Sequence, residues 1–334
     1  MNLTLSSQGA RGGTPEAAIP RWRSGPRVAV LIPCHDEAVA ISTVVTDFRA
    51  ALPDAEIYVY DNNSRDGTAA GARASGASVR SERMQGKGHV VRRMFADIEA
   101  DIYVLVDGDD TYEAAAAPDM VRHLIEERLD MVNGARLSCA AAAYRPGHRF
   151  GNAALTGLVR SVFGSRISDM LSGYRVFSRR FVKSFPAMSS GFETETEFTV
   201  HALELNMPVG EMPTAYRERP AGSHSKLRTW SDGLRILRMI VILVKEKRPL
   251  QFFSAIAACL LALGTGLGLP VAAEFFRTGL VPRLPTAVLA TGLELLASLS
   301  LVCGLILDSV ARGRREQKLL AYLSIPALGA GWGR

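Results

Sequence analysis

Short apolar stretches and helical patterns alternate along residues 27–135, and this alternation restricts the fold more than any other feature of the chain. The apolar stretches, which predict strands, lie at residues 27–33, 56–60, 102–106 and 131–135, with a shorter one near Val79. Helical patterns lie between them, at residues 37–52, 89–96 and 118–128. Repeated strand–helix units of this length are typical of a mostly parallel sheet with helices on both faces. We therefore predict an α/β fold for this part of the chain.

Polar side chains gather where three of the predicted strands end. These clusters occupy residues 33–37, 61–68 and 107–111. Ligands of open α/β sheets bind at the carboxyl ends of the strands, where the connecting loops meet. The shared placement of the three clusters therefore predicts one ligand-binding site along this edge of the sheet.

The third cluster begins with Asp107-Gly108-Asp109-Asp110, directly after the apolar run 102–106. Ionised carboxylates at the end of a buried strand repel one another and lose hydration, so packing alone does not favour them. A divalent cation that also binds substrate phosphates would offset this repulsion, and Mg²⁺ and Mn²⁺ both accept oxygen ligands of this kind. The alternative is an acidic turn that caps the next helix. The tetrapeptide by itself leaves both interpretations open.

Two further motifs allow a ligand-binding and a purely structural interpretation. Asp61 can accept hydrogen bonds from a nucleoside, but Asx residues and Gly67 also favour an ordinary turn. Lys87, between Gly86 and Gly88, can place a positive charge beside a phosphate, or the glycines can mark the entry of a helix. The chain contains no G-x-x-x-x-G-K-[ST] sequence, which excludes a P-loop.

Two long apolar stretches near the C-terminus predict a transmembrane helical hairpin. Residues 251–273 contain no charged side chain, and residues 284–307 contain only Glu294. Each stretch is long enough to cross roughly 30 Å of hydrocarbon as a helix. Basic residues flank the outer ends of the pair, namely Arg235, Arg238, Lys245, Lys247 and Arg248 on one side and Arg312, Arg314, Arg315 and Lys318 on the other. The positive-inside rule then places both ends and the N-terminal domain on the cytoplasmic side of the cell inner membrane.

The remaining segments give weaker signals. Residues 1–26 lack an apolar core and are expected to form a flexible leader, and residues 308–334 are expected to form a cytoplasmic tail. Residues 229–248 combine an apolar and a basic face, which predicts a helix that lies at the membrane interface or packs on the N-terminal domain. The net charge of +6 is concentrated beside the apolar stretches, so anionic lipid is the expected partner and nucleic acid is not.

The order of the motifs resembles one enzyme family. The motifs are Ile32-Pro33-Cys34-His35-Asp36-Glu37, residues 61–68, Gly86-Lys87-Gly88, Asp107-Gly108-Asp109 and Ser172-Gly173-Tyr174-Arg175. In this order they are similar to those of family-2 glycosyltransferases of GT-A fold, and most similar to the polyprenyl-phosphate hexosyltransferases, the branch of dolichol-phosphate mannose synthase. The resemblance covers roughly residues 27–250, and the hairpin also fits membrane-anchored members. It implies a GT-A nucleotide-sugar-binding domain over residues 27–228.

The same resemblance implies roles for individual residues. Pro33, Asp36, Glu37 and Asp61 would hold the nucleoside, and Lys87 would lie near the nucleotide. Asp107 and Asp109 would form the D-x-D pair, which contacts the ribose and binds Mg²⁺ or Mn²⁺ together with the diphosphate. The phosphate-rich side of the site would consist of Arg136, Arg149, Arg217, Arg219, Ser225 and Lys226. Asp109, Arg136, Arg217 and Lys226 would act in catalysis.

Two positions depart from the family pattern. Asp36 stands where Asn is usual, and Asn62 follows Asp61 where a second Asp is commoner. Both departures affect the expected base of the donor more than the expected reaction.

Glutamates at two further places have open roles. Glu193, Glu195 and Glu197 alternate within a helical segment, where Glu195 could contact substrate or orient arginines, or the three could form a solvated face. Glu294 would be costly inside a membrane span, which suggests a function or a pairing within an oligomer.

Together these features predict a membrane-anchored inverting glycosyltransferase. It would move a hexose or hexuronic acid from a nucleotide sugar, UDP favoured over GDP, to polyprenyl phosphate, giving a lipid-linked sugar for cell-envelope glycan assembly or modification. A lipid phosphate is already an anion and needs no general base. The alternatives are a processive or other sugar-acceptor family-2 glycosyltransferase and a catalytically silent membrane scaffold of a glycolipid pathway. A homo-oligomer is also possible.

Overall fold

The computed structural model describes residues 25–138, 167–189, 191, 193–217, 242, 245–246 and 248–329. Within these residues, seven strands form one sheet: β1 (Val28–Cys34), β2 (Glu56–Asp61), β3 (Ser78–Ser81), β4 (Ile102–Leu105), β5 (Met131–Ser138), β6 (Arg175–Ser178) and β7 (Val209–Tyr216). Their spatial order is β3-β2-β1-β4-β6-β5-β7. Only β6 runs antiparallel to its neighbours β4 and β5, while the other described pairs are parallel. The predicted mostly parallel sheet is confirmed.

Helices cover both faces of the sheet. They are α1 (Ile41–Ala51), α2 (Thr68–Ala74), α3 (Lys87–Asp97), α4 (Ala117–Glu126), α5 (Arg179–Ser184) and α6 (Thr194–Glu204), with a 3₁₀ turn at Ala114–Ala116. Successive side chains of a strand point to opposite faces, so Val30 and Ile32 of β1 join one apolar core and Leu31 joins the other. The first core contains α1 and α4, and the second contains α3, α5 and α6. Burial on both faces explains why these strands read as continuous apolar runs.

The strand register brings the polar clusters to one edge of the sheet. Cys34, the last residue of β1, pairs with Asp61, the last residue of β2. Leu31 pairs with Leu105, so the segment that follows β4 begins beside the end of β1. Ser138 of β5 pairs with Tyr216 of β7 at the same end of the sheet. We call this edge the site edge.

Two long helices follow the domain. α7 (Pro249–Thr278) has 30 residues and α8 (Leu284–Leu323) has 40. Both are long and apolar enough to cross a membrane, and they expose most of their apolar side chains. They pack on each other at small residues, since a Cβ added to Gly264 would lie 3.0 Å from Glu294 Cγ. Glu294 therefore faces α7, where it accepts a hydrogen bond from Thr265 at 3.4 Å.

α8 continues far beyond the predicted second span. It stays helical through Leu323, so the segment expected to be a tail begins as the last four turns of this helix. Its end packs on the α/β domain, where Tyr322 is buried and donates a hydrogen bond to Asp130 Oδ2 at 2.7 Å. The N-terminal segment 1–24 and most of the predicted helix 229–248 lie outside the described residues.

Candidate active site

The two aspartates of the D-x-D motif follow β4 at the site edge. Asp109 is 4% exposed, and its Oδ1 accepts a hydrogen bond from Thr111 Oγ1 at 2.6 Å. The Asp107 carboxylate packs directly against the backbone of Gly173, because a Cβ added to Gly173 would lie 2.2 Å from Asp107 Oδ2. Gly108 is also required, because a Cβ there would lie 2.5 Å from Cys34 Sγ. Asp107 therefore lies against the loop before β6, and Asp109 is oriented by Thr111.

Hydrogen bonds join the first two polar clusters. The Asp36 amide donates to Ser64 Oγ at 2.9 Å, and Asp36 Oδ1 accepts from the Arg65 amide at 2.7 Å. The Glu37 amide donates to the Thr68 hydroxyl at 2.8 Å. Asp36 has a φ of 52°, a left-handed conformation that Asp and Asn adopt more readily than other L-residues. Aspartate in place of the family's asparagine thus keeps the backbone geometry.

Asp61 leaves one carboxylate oxygen without a partner. The side chain is 9% exposed, and among the described residues its Oδ1 is buried with no hydrogen-bond donor. A buried carboxylate oxygen without a donor is costly. Asp61 thus has a free hydrogen-bond acceptor at the site edge, next to the two loops that the Asp36–Arg65 hydrogen bond joins.

Asn62 joins the end of β2 to the segment that enters α3. Its amide donates to the carbonyls of Glu82 and Met84, both at 2.8 Å, and its Oδ1 accepts from the Gly86 amide at 2.7 Å. A carboxylate could not donate these two bonds. The departure from the Asp-Asp pattern is therefore explained by this loop, which holds Lys87.

The Lys87 ammonium is buried between two carboxylates. Its Nζ lies 2.5 Å from Asp107 Oδ1 and 2.5 Å from Glu195 Oε1, although Glu195 is 108 residues away in the sequence. Burial opposes the ammonium charge, but the carboxylates of Asp107 and Glu195 outweigh burial and raise the pKa of Lys87. Lys87 is therefore a permanent cation between two carboxylates.

The other side of the site is built by β5, β7 and the loop before β6. Arg136 makes a bidentate ion pair with Asp169, with Nε–Oδ2 at 2.7 Å and Nη2–Oδ1 at 2.8 Å. Its guanidinium also lies over the Tyr216 ring, 5.4 Å from the centroid. Asp169 thus fixes the orientation of Arg136. Arg217 is exposed at the rim, with its Nη2 3.5 Å from Glu113 Oε1.

Arg175 of the Ser-Gly-Tyr-Arg motif has a structural position. It is fully buried, and its guanidinium donates to the Met170 carbonyl at 2.8 Å and to Thr199 Oγ1 at 2.9 Å. Burial lowers the pKa of Arg175 to about 10. Arg175 therefore ties β6 to α6 beneath the site.

Comparison with known proteins establishes the family. Residues 29–185 match the family described as glycosyl transferase family 2. Glycosyltransferase AglJ from Haloferax volcanii is 33% identical over 296 residues, which covers 87% of this chain and 95% of AglJ. The chain belongs to glycosyl transferase family 2. The resemblance stated from the motif order is confirmed.

Two further comparisons concern the branch and the fold of this glycosyltransferase. A dolichyl-phosphate hexose transferase from Haloferax volcanii is 28% identical over 222 residues, covering 66% of this chain and 95% of that protein. The crystal structure of glucosyl-3-phosphoglycerate synthase from Mycobacterium tuberculosis superposes with a TM-score of 0.54 at 23% identity, covering 66% of this chain and 80% of that one. This likeness confirms the GT-A fold.

The described part of the glycosyltransferase brings most predicted site residues to the site edge. Pro33, near the end of β1, pairs with Tyr60 and precedes the first cluster. The described residues at this edge are Pro33, Asp36, Glu37, Asp61, Lys87, Asp107, Asp109, Arg136 and Arg217. Arg149, Arg219, Ser225 and Lys226 lie outside the described residues, so their roles remain predictions.

Two partners of predicted site residues could not be identified from the sequence. The alternation of glutamates allows either a substrate contact or a solvated face for Glu195, whereas in the structure Glu195 is 5% exposed and contacts Lys87. Asp169, the partner of Arg136, precedes Ser172-Gly173-Tyr174-Arg175 by three positions. Its closeness to that motif was the available signal, but nothing in the sequence indicated Arg136 as its partner.

The donor set fits a divalent cation that shares its ligands with a substrate. Asp107 and Asp109 offer carboxylate oxygens, and within the described ranges no group of three or more His, Cys, Asp or Glu side chains could hold a metal alone. Mg²⁺ and Mn²⁺ sites with one or two carboxylates are completed by substrate phosphates and water. The side chain of Asp107 is 30% exposed, so it remains accessible from solvent.

Proposed function

We propose that this glycosyltransferase moves a hexose or hexuronic acid from a nucleotide sugar to polyprenyl phosphate at the cytoplasmic face of the cell inner membrane. The observation that carries the proposal is the presence, in one chain, of a strand-end carboxylate site and two helices of membrane-spanning length. Such a chain can meet a water-soluble donor and a lipid acceptor. The dolichyl-phosphate hexose transferase relative supports this acceptor class.

The donor would lie along the site edge, with its nucleoside near Asp61 and its diphosphate near Asp107. The unpartnered Oδ1 of Asp61 can accept a hydrogen bond from a base N–H or a ribose hydroxyl. UDP is favoured over GDP, since glucosyl-3-phosphoglycerate synthase, which shares this fold, has been crystallised with Mn²⁺ and UDP-glucose. Asp36 and Glu37 would line the same nucleoside pocket.

Asp107 and Asp109 would hold Mg²⁺ or Mn²⁺ together with the donor diphosphate. When bound, the cation would offset the negative charge that develops on the leaving diphosphate. Asp109 is oriented for this by its hydrogen bond from Thr111, and Asp107 lies against Gly173.

Transfer would proceed by a single displacement with inversion. An oxygen of the lipid phosphate forms the new bond to the anomeric carbon, while the bond from that carbon to the diphosphate oxygen breaks and the diphosphate leaves with the electron pair. The acceptor is already an anion, so the protein must reduce phosphate–phosphate repulsion instead of removing a proton. Arg217 at the rim and Arg136, oriented by Asp169, supply positive charge for this purpose.

Transfer of labelled sugar tests the proposal directly. The purified full chain, in detergent with polyprenyl phosphate, is incubated with a panel of radiolabelled UDP- and GDP-sugars with and without EDTA. We expect one donor to give an acid-labile, organic-extractable product that disappears with EDTA and in Asp109→Asn. Asn206→Asp, at an exposed turn, is the control.

Two outcomes would contradict the proposal. Absence of lipid product from every donor, with slow hydrolysis of one of them, would retain the nucleotide site but reject the lipid acceptor. A product of several sugar units would instead support a processive enzyme.

A further inference from the structure

Lys87, Asp107 and Glu195 form an enclosed charge cluster, which we call the lysine bridge. Lys87 and Glu195 side chains are 8% and 6% exposed, whereas Asp107 is 30% exposed. The ammonium lies 2.5 Å from one oxygen of each carboxylate. A solute can therefore reach the Asp107 carboxylate, whereas the side chains of Lys87 and Glu195 are buried.

The surroundings of the bridge leave Lys87 little freedom at its backbone. Lys87 is the first residue of α3, and Asn62 anchors the preceding Gly86. A Cβ at Gly88 would lie 2.1 Å from the Ser189 carbonyl oxygen, so α3 is pressed against the segment before α6. Glu195 is the second residue of α6. Packing of α3 against this segment therefore sets the Lys87–Glu195 contact.

Lys87 and a divalent cation would both bind the carboxylate of Asp107. As a D-x-D residue it is expected to bind the cation, but its Oδ1 already contacts an ammonium. The ammonium and a doubly charged ion repel each other at this distance, so both cations cannot remain close to the carboxylate without cost. One of them must move when the other binds.

We propose that Lys87 and the divalent cation compete for Asp107, and that Glu195 is a positioning residue that keeps the displaced ammonium inside the site. The inference rests on the proposed function and adds a role for Glu195. When the cation binds, Lys87 loses its contact with Asp107 but retains Glu195 as a counterion. The ammonium then stays beside the donor diphosphate, where its charge is useful.

The proposal predicts opposite effects for the two partners of Asp107. Lys87→Met removes the competitor, so the affinity for Mn²⁺ should rise about tenfold. Glu195→Gln leaves the displaced ammonium without a counterion, so the affinity for Mn²⁺ should fall, by about threefold or more. Added to Lys87→Met, Glu195→Gln should have almost no effect, because the ammonium through which Glu195 acts is gone.

A double-mutant cycle on Mn²⁺ binding tests the competition. Free Mn²⁺ is measured by electron paramagnetic resonance during titration of the full chain in detergent, without nucleotide. The samples are the wild type, both single variants and the double variant. Asp109→Asn is the reference for loss of the site. Glu99→Gln, which takes a carboxylate from Lys183 outside the site, is the matched control and should leave the affinity unchanged.

The cycle separates competition from simple charge effects. If Glu195 acted only through its field, Glu195→Gln would weaken Mn²⁺ binding equally in both backgrounds, and that result would overturn the proposal. Lack of Mn²⁺ binding by the Lys87→Met variant would overturn it as well. If Lys87→Met does not fold, the comparison of the double variant with Glu195→Gln carries the test, and equal affinities there would reject competition. Transfer of labelled sugar to lipid is measured separately, so the proposed function can hold while this inference fails.

Discussion

At the residue scale, a single amide determines how the nucleotide side of the site is assembled. Asn62 is 3% exposed and holds the carbonyls of Glu82 and Met84 together with the Gly86 amide. The family pattern read from the sequence marked this position only as a departure. The structure gives the reason, since a carboxylate would face two carbonyl oxygens and repel them.

We therefore expect Asn62→Asp to weaken donor binding and lower stability, although the two side chains have almost the same size. The carbonyls of Glu82 and Met84 lose their donor, at a cost of about 1 kcal/mol each, and the segment that carries Lys87 is held less firmly. We expect the KM for the nucleotide sugar to rise about tenfold or more, with a lower melting temperature. Asn206→Asp, which places the same change on an exposed turn, should alter neither. Unchanged donor KM in Asn62→Asp would show that this loop does not position the donor site.

The Arg136–Asp169 pair predicts a pH dependence of stability. Burial opposes the charge of Asp169, but hydrogen bonds and the charge of Arg136 outweigh it and lower the pKa of this carboxyl. A carboxyl whose pKa is lower in the folded state stabilises the fold above its unfolded pKa of about 3.9, and this stabilisation is lost as the pH falls through the folded pKa. Asp169→Asn removes that contribution.

Chemical unfolding at several pH values measures this contribution. At pH 7 we expect Asp169→Asn to be less stable than the wild type by about 3 kcal/mol or more, because Arg136 loses its buried partner. The difference should shrink as the pH falls below about 4. A constant difference down to pH 2 would mean that the charge of Asp169 does not contribute.

At the scale of elements, the entry of α3 is the most constrained contact near the site. α3 begins at Lys87, and its second residue, Gly88, has no room for a side chain. The contact orients the lysine bridge, because Glu195 belongs to α6 and Lys87 to α3. The position of α3 against the segment before α6 thus controls a charge arrangement that neither helix contains alone.

Gly88→Ala should therefore disrupt both stability and transfer. The new Cβ would lie 2.1 Å from a backbone oxygen, which cannot rotate away, so α3 must shift. We expect a loss of transfer activity of at least about tenfold and a loss of stability of about 1–3 kcal/mol. Gly313→Ala in α8, which meets no atom within 4 Å, should instead be neutral or slightly stabilising. Equal effects of the two substitutions would show that the close contact is not formed.

At the scale of the whole molecule, α8 connects the hairpin to the catalytic domain. The helix is about 60 Å long at 1.5 Å per residue, twice the thickness of the hydrocarbon core. Its end contacts the edge opposite the site edge, since Asp130 directly precedes β5. Asp130 is 1% exposed and binds Tyr322, Ser178 at 2.7 Å and Arg180 at 2.6 Å. Lys318 adds an ion pair with Glu204 at 3.1 Å.

Tyr322→Phe tests whether this contact holds the domain on α8. Removal of the hydroxyl leaves Asp130 Oδ2 without the Tyr322 donor, at an expected cost of about 1–3 kcal/mol. We expect faster hydrogen exchange in the last turns of α8, measured by mass spectrometry. Tyr58→Phe, where the hydroxyl donates to the exposed Glu56, is the control. Unchanged exchange in Tyr322→Phe would mean that the docking is held by apolar packing alone.

Features that depend on neighbours along the chain could be predicted from the sequence alone. Period and apolarity predicted β1, β2, β4 and β5, the apolar segments 251–273 of α7 and 284–307 of α8, and the polar clusters at the strand ends, because burial on a sheet or in a membrane restricts the composition of each segment. The order of the motifs was sufficient to identify the family. The reaction and its lipid acceptor remain proposals that the labelled-sugar assay decides.

Which charged groups meet depends on how distant segments of the chain pack. Glu195 reaches Lys87 across 108 residues, Asp169 reaches Arg136 across 33, and Tyr322 reaches Asp130 across 192. Periodicity shows which face of a helix is buried but not which residue of another element lies opposite. The residue that lies opposite depends on how the elements pack. Ion pairs and hydrogen bonds form only where donor and acceptor come within about 3 Å of each other, and a local sequence pattern does not specify that distance.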